Sequence, residues 1–376
     1  MSSPRTRAAA KSTAPVLSLR ALGRATLARQ LLLERAPLSI PAAVARLVGL
    51  QAQLPGAPYV GLWSRVAAFT RPDLARLIDE RALVRATLLR ATLHLATAED
   101  YLAFRPVLQP VLSKALTGLP KERLIGFDLS SFATHARRFL LAGPRTFEAL
   151  RDELARHHPD LDVRAMGYAV RMRVPLVQVP GKGAWGFAPE PDFALADQWL
   201  GKAVGASLDP RDLVLRYLAA FGPATPADAQ NWSGLGSLRE TFAALRDELV
   251  TFTNEEGREL FDLPGAPRPA EDTPAPPRFL PEFDNLMLGH AERARVVPPA
   301  FKSQIYLSAL RVRATFLLDG MVKGAWKVTR TKKSATLEIE PFVALKKKEK
   351  DAVAEEGEEL LAFLEEGATT RALQFT

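Results

Sequence analysis

The chain has 376 residues, of which 47% are hydrophobic and 24% charged, and a net charge of +8. This composition is typical of a globular protein with two or three domains and excludes wholesale disorder. The absence of cysteine excludes disulfide scaffolds, cysteine-ligated metal sites and thiol nucleophiles. No run of about 18 apolar residues occurs, and residues 1–15 lack the apolar core of a secretory signal. We therefore expect a cytoplasmic protein without a membrane span.

Basic residues are concentrated in the N-terminal half. Residues 1–190 hold 27 basic and 14 acidic residues, whereas residues 191–376 hold 23 and 28. A net charge of +13 in one half favours a polyanionic partner such as nucleic acid. An arginine-rich composition, with 36 arginines and 14 lysines, is the alternative explanation. Residues 1–16 are expected to form a disordered basic tail.

The first unit, expected over residues 17–128, combines helices with a hairpin. Apolar spacing predicts helices over residues 19–35, 39–50, 58–68 and 71–81. Residues 83–89 and 91–97 roughly alternate apolar and polar side chains, which predicts two paired strands. Helices followed by a two-stranded wing are typical of a winged helix-turn-helix module.

The same order recurs in two more units, expected over residues 129–205 and 206–263. Both contain Gly-Pro shortly before a threonine that is a candidate helix cap, which indicates an internal repeat. The predicted helices are 146–157 and 162–173 in the second unit, and 211–221, 225–232 and 238–249 in the third. The predicted wing strands are 174–180 and 184–187, with Lys182 at the turn, and then 250–253 and 258–262.

The remainder of the chain differs in pattern. Residues 264–281 are rich in proline and are expected to form a surface linker. The expected C-terminal unit, residues 282–376, contains a predicted three-strand meander over 313–319, 321–330 and 334–342. The basic run at 346–350 is interpreted as a solvated turn, and residues 352–364 as a closing amphipathic helix. The fold class is therefore α+β, with three tandem winged helix-turn-helix modules, a C-terminal β-meander and a closing helix.

Signatures of common enzyme classes are missing. The sequence has no glycine-rich phosphate loop, no Gly-x-Ser-x-Gly elbow and no His-Glu-x-x-His motif. His157 and His158 are adjacent, so on a helix they point about 100° apart and are expected at an exposed helix end rather than on a metal. His135 and His290 are isolated in the sequence and are interpreted as structural. We expect neither a metal nor a cofactor.

Several basic residues are candidates for DNA contact. The second helix of a winged-helix module commonly enters the major groove, and the wing contacts phosphate or the minor groove. The alternative is that such arginines only cover a helix surface. The candidates are Arg164, Arg171, Arg173 and Lys182 in the second unit, and Arg81, Arg85 and Arg90 on or beside the first wing.

A polar segment, Gln51-Ala-Gln53, follows the second predicted helix. From the residues alone it is a polar helix end. Together with phrases further along the chain, however, it resembles the AlkZ family of bacterial winged-helix DNA glycosylases, which act on alkylated DNA. The phrases occur in the family's order and cover nearly the whole chain from about residue 17. They are Gly49-Leu-Gln-Ala-Gln, Arg90-Ala-Thr-Leu-His-Leu, Gly222-Pro-Ala-Thr-Pro-Ala-Asp, Trp232-Ser-Gly-Leu, and Leu280-Pro-Glu-Phe-Asp-Asn-Leu-Met-Leu-Gly-His with Arg293.

The resemblance implies that the three modules surround a basic concave cleft for duplex DNA and that Gln51 and Gln53 are the catalytic residues. It makes Arg90, His94 and Lys323 candidate DNA contacts, the last beside a cleft hairpin that we place near residues 321–324. A sister branch of the family has an acidic residue at the second glutamine. Because this sequence keeps glutamine, it resembles the crosslink-unhooking branch, which is associated with self-resistance to DNA-alkylating antibiotics. Three modules around one cleft need no partner, so a monomer is expected.

Glutamines suit one kind of substrate. An amide cannot take a proton from water at neutral pH, so a strong general base is missing. An N7-alkylated guanine is already cationic and leaves as a neutral base, so a carboxamide need only hold water near the oxocarbenium-like sugar. The expected substrates are cationic N7- or N3-alkylpurines in double-stranded DNA, without full base flipping, rather than uncharged lesions such as uracil. A non-enzymatic DNA-binding regulator and a protein-interaction scaffold remain alternatives.

Overall fold

Helices and strands alternate along the chain. The structure, a computed structural model, describes residues 14–205 and 208–376. Its helices are α1 Leu19–Arg29, α2 Ile40–Arg46, α3 Ala57–Trp63, α4 Arg71–Asp79, α5 Ala98–Val107, α6 Gln109–Leu116, α7 Leu129–Leu141, α8 Phe147–His157, α9 Val163–Arg173, α10 Ala196–Leu200, α11 Pro210–Phe221, α12 Pro226–Ser233, α13 Leu238–Ala244, α14 Asn285–Leu288, α15 Lys302–Ile305 and α16 Lys347–Leu364. Its strands are β1 Val16–Leu17, β2 Leu50–Gln51, β3 Leu83–Thr87, β4 Leu93–Thr97, β5 Arg145–Thr146, β6 Leu176–Gln178, β7 Asp192–Leu195, β8 Val250–Asn254, β9 Glu259–Asp262, β10 Arg278–Leu280, β11 Tyr306–Leu307, β12 Arg311–Val312, β13 Thr315–Leu318, β14 Met321–Arg330, β15 Ser334–Pro341 and β16 Thr370–Phe375.

A six-stranded sheet joins the first two predicted units. Its strand order is β2-β4-β3-β6-β7-β5. The predicted first hairpin is confirmed as the antiparallel pair β3–β4. Arg85 of β3 is in register with Gln178 of β6, so the hairpins of the two units lie side by side. The segment that carries Gln51 forms the edge strand β2.

The second hairpin differs from its prediction. Its strands are β6 and β7, whereas residues 184–187, predicted as a strand, lie in the loop that connects them. Two aromatic side chains of this loop explain the misleading pattern. Phe187 is buried in the core beneath α2, α3 and α4, and Trp185 packs closely over Gly56. Lys182 is exposed in this long loop rather than at a tight turn.

The third predicted hairpin is confirmed as the pair β8–β9, and β1 adds to it as a parallel strand. The tail prediction is therefore wrong at residue 16, because Val16 is part of β1. Residues 1–13 of the predicted tail lie outside the described residues. A buried ion pair joins α1 to this sheet, since Arg29 Nη1 lies 2.6 Å from Asp262 Oδ1 and both side chains are inaccessible to solvent.

The C-terminal unit is a five-stranded sheet of order β10-β13-β14-β15-β16, packed on α16. The predicted meander is confirmed, but two neighbouring predictions are wrong. Residues 278–280 of the expected linker form the buried edge strand β10, which suits the adjacent prolines because an edge strand needs fewer backbone donors. The basic run at 346–350 is the first turn of α16 rather than a free turn, since Glu349 caps Lys346 N.

The turn beside Met321 is not a free hairpin tip. Asp319 and Gly320 form it with positive φ, and Arg20 and Arg24 bind the Asp319 carboxylate. Lys323 lies inside β14, so the placement of a cleft hairpin at residues 321–324 is wrong. The pair β11–β12 has a free tip instead, and Leu310 at that tip is 92% exposed. In the described part of the chain, no helix is long and apolar enough to cross a membrane.

Candidate active site

The Gln-x-Gln segment begins in strand β2, which ends at Gln51, rather than at a helix end. Gly49, with φ of +82°, ends the turn after α2, and a Cβ there would lie 3.1 Å from Leu95 O. Gln51 is in register opposite His94, and Ala52 N donates to Leu93 O at 2.7 Å. Directly opposed residues point to the same face of a sheet, so the Gln51 and His94 side chains are neighbours.

Asn285 fastens this strand to the C-terminal part of the chain. Its Nδ2 donates to Gly49 O at 2.6 Å, and its Oδ1 accepts from Gln51 N at 3.3 Å. The preceding Asp284 caps α14 and forms a fully buried ion pair with Arg65, in which Arg65 Nη2 lies 2.7 Å from Asp284 Oδ1. Asn285 was not predicted as a site residue, although it stands in the Asp284-Asn285 phrase that carried the resemblance.

Arg90 orients the first glutamine. Its Nη2 donates to Gln51 Oε1 at 2.7 Å, and its Nη1 donates to the carbonyl oxygen of Trp232. The backbone of Arg90 has φ of +53°, a left-handed conformation that few non-glycine residues adopt. Since Arg90 occupies the amide oxygen, the Nε2 amide of Gln51 is the group left free of hydrogen bonds within the described chain. Among the described residues, Arg90 is the one predicted DNA contact whose side chain hydrogen-bonds a predicted catalytic side chain.

Arg85 holds the backbone of the second glutamine. Its Nε donates to Ala52 O at 2.8 Å, its Nη2 to Gln53 O at 3.1 Å and its Nη1 to the side chain of Gln178. The Gln53 side chain is exposed, and its Oε1 accepts from Leu93 N at 3.4 Å. Arg85 was predicted as a wing residue free to meet phosphate, but its side chain is 5% exposed and shapes the glutamine segment instead.

Arg85 and Arg90 have no carboxylate partner among the residues that the structure describes. Burial, with a smaller effect from Arg171, lowers the pKa of Arg85 to about 10. Burial, with a smaller effect from Arg293, lowers the pKa of Arg90 to about 10. At neutral pH each guanidinium therefore keeps its charge, and the site has two cations whose side-chain partners are amides and carbonyls.

His94 is a neutral side chain in this site. It is 1% exposed, and burial together with Arg90 lowers its pKa to about 3. Its Nδ1 donates to Thr92 O at 3.0 Å, which leaves Nε2 as a buried acceptor without a described partner. His94 is therefore uncharged at neutral pH, so any contact that it makes with DNA does not depend on a positive charge.

The other predicted contacts form no hydrogen bond with the glutamines among the described residues. Arg164, Arg173 and Lys182 are exposed, and Lys323 is half-buried in β14. Arg171 is half-buried, and burial lowers its pKa. Its charge nonetheless acts on Arg85.

Arg293 connects the site to the hairpin β11–β12. Its guanidinium lies 4.3 Å from the ring centroid of Tyr306, and its charge lowers the pKa of Arg90. Tyr306 Oη donates to Met287 O at 2.8 Å, two residues after Asn285. Tyr306 gave no signal in the sequence, because its role depends on a hairpin that the pattern did not predict.

The histidines outside the site are arranged differently from their prediction. His135 is not isolated, since its Nδ1 lies 3.3 Å from His158 Nε2 and its ring stacks on His157. His290 is buried with Nε2 3.0 Å from Phe221 O, as expected of a structural histidine. Over residues 14–205 and 208–376, no group of three or more His, Cys, Asp or Glu side chains has an arrangement suited to a metal ion.

Comparison with known proteins identifies the family. The sequence matches the family described as "DNA glycosylase AlkZ-like" over residues 44–363. The chain belongs to the AlkZ-like DNA glycosylase family. Membership makes DNA its substrate and glycosidic bond cleavage its class of reaction.

Two relatives of this AlkZ-like chain come from Streptomyces sahachiroi. An "Interstrand DNA cross-link repair glycosylase" is 27% identical over 339 residues, which are 80% of this chain and 85% of that protein. The solved structure of "DNA glycosylase AlkZ" is similar with a TM-score of 0.75 and 21% identity, covering 96% of this chain and all of the other. The structural likeness shows a shared mixed α and β fold.

The buried neutral state of His94 in this AlkZ-like chain gives a pH prediction. Its pKa falls from the ordinary value of 6.5 to about 3 on folding, so protons bind the unfolded state more strongly between these values. The His94 contribution to stability is complete above pH 6.5 and is lost progressively as the pH falls toward 3. Between pH 7 and 5.5 this loss is about 1 kcal/mol.

The measurement is the free energy of unfolding in urea at pH 7 and 5.5, for the wild type and for His94→Asn. Asparagine retains a donor for Thr92 O but does not titrate, so the variant should lose less stability on acidification. His290 remains in both proteins and cancels in the comparison. An identical pH dependence would show that folding does not lower the pKa of His94.

Proposed function

We propose that this chain hydrolyses the N-glycosidic bond of cationic N7- or N3-alkylated purines in double-stranded DNA and that interstrand crosslinks are among its substrates. The observation that carries this proposal is the Gln51 amide, held by Arg90 in a site where none of the described hydrogen-bonding side chains is a carboxylate. The crosslink substrate is taken from the named activity of the 27% identical relative.

The two glutamines are assigned different roles. Because Arg90 occupies Gln51 Oε1, the Gln51 amide is left to donate through Nε2 to a sugar or phosphate oxygen. Gln53 is exposed and its Oε1 has only a long bond to Leu93 N, so it is the better acceptor for the attacking water. Positioning and electrostatic stabilisation of this kind contribute a few kcal/mol, which suits a substrate that is already labile.

The buried charges explain why the substrate is duplex DNA rather than a free nucleoside. Arg85 and Arg90 would repel a cationic alkylpurine by itself. Phosphates on both sides of the lesion bring the compensating negative charge, so binding of the DNA backbone allows a cationic base to approach. Arg164, Arg171, Arg173, Lys182 and Lys323 are proposed as further DNA contacts. His94 is proposed to act as a neutral neighbour of Gln51.

The arrangement of elements supports three winged-helix modules around the cleft. Helices are followed by the antiparallel pairs β3–β4, β6–β7 and β8–β9, one in each expected unit. The proposed domain boundaries are 17–128, 129–205 and 206–263 for the modules, with a linker that ends before β10 and a C-terminal unit that begins with β10 at Arg278. A single chain holds every element of the site, and we propose that it acts as a monomer.

We assign the cleft hairpin to β11–β12. Ala309 and Leu310 at its tip both have φ near +57°, and Leu310 is an exposed apolar side chain in a conformation unusual for leucine. The hairpin is joined to the site through Tyr306 and Met287. An apolar tip in this position suits insertion between base steps, which unstacks them beside the glutamines.

The glutamine prediction is tested on duplex DNA that contains N7-methylguanine, or a nitrogen-mustard crosslink, followed by alkaline cleavage of abasic sites. Gln51→Ala and Gln53→Ala should each lower the single-turnover rate by about 10²–10³, since each removes a positioned polar group. Gln374→Ala, which changes an exposed glutamine of β16, is the matched control. Wild-type rates in the site variants would refute the assignment. Sequence-specific binding without cleavage would favour a regulator.

The hairpin prediction is tested with Leu310→Ser. Since the side chain is 92% exposed, the urea midpoint should remain unchanged, whereas the rate on duplex substrate should fall by at least about tenfold if the tip unstacks DNA. Val343→Ser, a change of another exposed apolar residue of the C-terminal unit, is the control. Equal rates for Leu310→Ser and the wild type would remove the hairpin from the mechanism.

A further inference from the structure

A cavity of about 680 Å³ lies where three parts of the chain meet. One wall is α3 and the start of α4, the second is the loop between β6 and β7, and the third is the turn between β14 and β15 with the end of α16. Its residues do not include those of the site described above. The turn that closes the β14–β15 hairpin contributes Lys332 and Lys333 to this cavity.

The cavity has more positive than negative charge. Arg71, Arg330, Lys332 and Lys333 line it, against Glu365 and Glu366. Arg330 is paired with Glu365, whereas the exposed ammonium groups of Lys332 and Lys333 have no carboxylate partner among the described residues. Arg71 also lacks one, since its Nη2 and Nη1 donate to carbonyl oxygens of Ala184 and Leu364 at 3.2 and 3.3 Å. These cations are available to an anionic ligand.

A buried hydroxyl lines the same cavity without a partner. Tyr59 is almost fully buried, and its Oη makes no hydrogen bond with any described residue. Burial raises the pKa of Tyr59 to about 12, so the hydroxyl keeps its proton and is a donor at neutral pH. A buried donor without an acceptor is costly and rare, which indicates that a ligand oxygen supplies the missing acceptor.

The Trp185 ring of the cavity is not free to stack on a base. Arg71 lies 4.3 Å above the Trp185 ring, and Tyr59 packs at 5.0 Å between ring centroids. The backbone of Gly56 covers another part of the Trp185 ring, because a Cβ at Gly56 would lie 2.9 Å from that ring. The cavity therefore offers cations and a hydroxyl donor, which fits a phosphate rather than a nucleobase. Gly56 is three residues after Gln53, so the cavity is beside the glutamine segment.

We propose that this cavity binds a phosphate group, held by Lys332, Lys333 and the Tyr59 hydroxyl, and that its source is the DNA backbone flanking the lesion. The choice of DNA as the source rests on the proposed function, whereas the phosphate chemistry does not. A phosphate bound here anchors the strand at the far end of the glutamine segment from Arg90.

The test measures affinity for an undamaged duplex by fluorescence anisotropy at salt concentrations between about 50 and 200 mM, a range over which the release of counterions from DNA changes affinity strongly. Lys332→Ala/Lys333→Ala should weaken binding about tenfold and reduce the salt slope by between about 1 and 2. The control is Lys347→Ala/Lys348→Ala, which removes the same charge from exposed positions at the start of α16. These lie about 25 Å along the helix from its end at the cavity. The control should change affinity less than about twofold. Equal losses in both pairs would show a general charge effect and overturn the proposal.

Tyr59→Phe tests the hydroxyl without removing charge. It should weaken duplex binding about threefold to fivefold, a loss typical of one hydrogen bond, while the unfolding midpoint stays the same or rises. A purely structural Tyr59 would leave affinity unchanged, and that result would overturn its role in binding.

Inorganic phosphate distinguishes the two sources. A rise in the melting temperature with phosphate alone that is lost in Lys332→Ala/Lys333→Ala, with duplex affinity unchanged, would confirm a phosphate site but refute DNA as its source. No phosphate effect and no selective loss of duplex affinity would overturn the site entirely. Because undamaged DNA is used, failure of glycosylase activity would leave these outcomes unaffected.

Discussion

The structure around Gln51 depends on hydrogen bonds from three side chains to one short edge strand and the residues that follow it. β2 has only two residues and pairs on one side alone, so its backbone does not fix the glutamine side chains. Asn285 holds Gly49 O and Gln51 N from the C-terminal part of the chain, Arg90 holds the Gln51 amide, and Arg85 holds the carbonyls of Ala52 and Gln53. Because these residues lie far apart in the sequence, the site exists only when the units are assembled.

Two of these three side chains, Arg85 and Arg90, are buried cations. Arg85 and Arg90 are desolvated, which lowers their pKa values to about 10, yet both remain charged at neutral pH. A buried cation is tolerated when its donors are satisfied, and here the acceptors are amides and carbonyls rather than carboxylates. Under the proposed function, this positive charge serves the DNA backbone, and a site without a general base would act only on a base that is already a good leaving group.

Local patterns predicted much of the fold but little of the site's geometry. The hairpin β3–β4 and the meander of β13, β14 and β15 were predictable because alternation and turn residues are local signals. The strand at 184–187 was wrong because Trp185 and Phe187 are loop anchors whose partners are distant in sequence. Gln51 and Gln53 were predicted as catalytic through the family resemblance alone. The roles of Asn285 and Arg85 depend on contacts with residues more than 30 positions away in the sequence, and no local pattern contains such contacts.

The most direct test of this arrangement is a double-mutant cycle between Gln51 and Arg90. Single-turnover rates on N7-methylguanine duplex are measured for the wild type, Gln51→Ala, Arg90→Ala and the double variant, with Arg90→Ala/Gln374→Ala as an uncoupled reference. If Arg90 acts by orienting Gln51, the double variant should be about as slow as the slower single variant, which corresponds to a coupling of about 1–3 kcal/mol. Independent, multiplicative losses would contradict the central claim that the Arg90 contact makes the Gln51 amide catalytic.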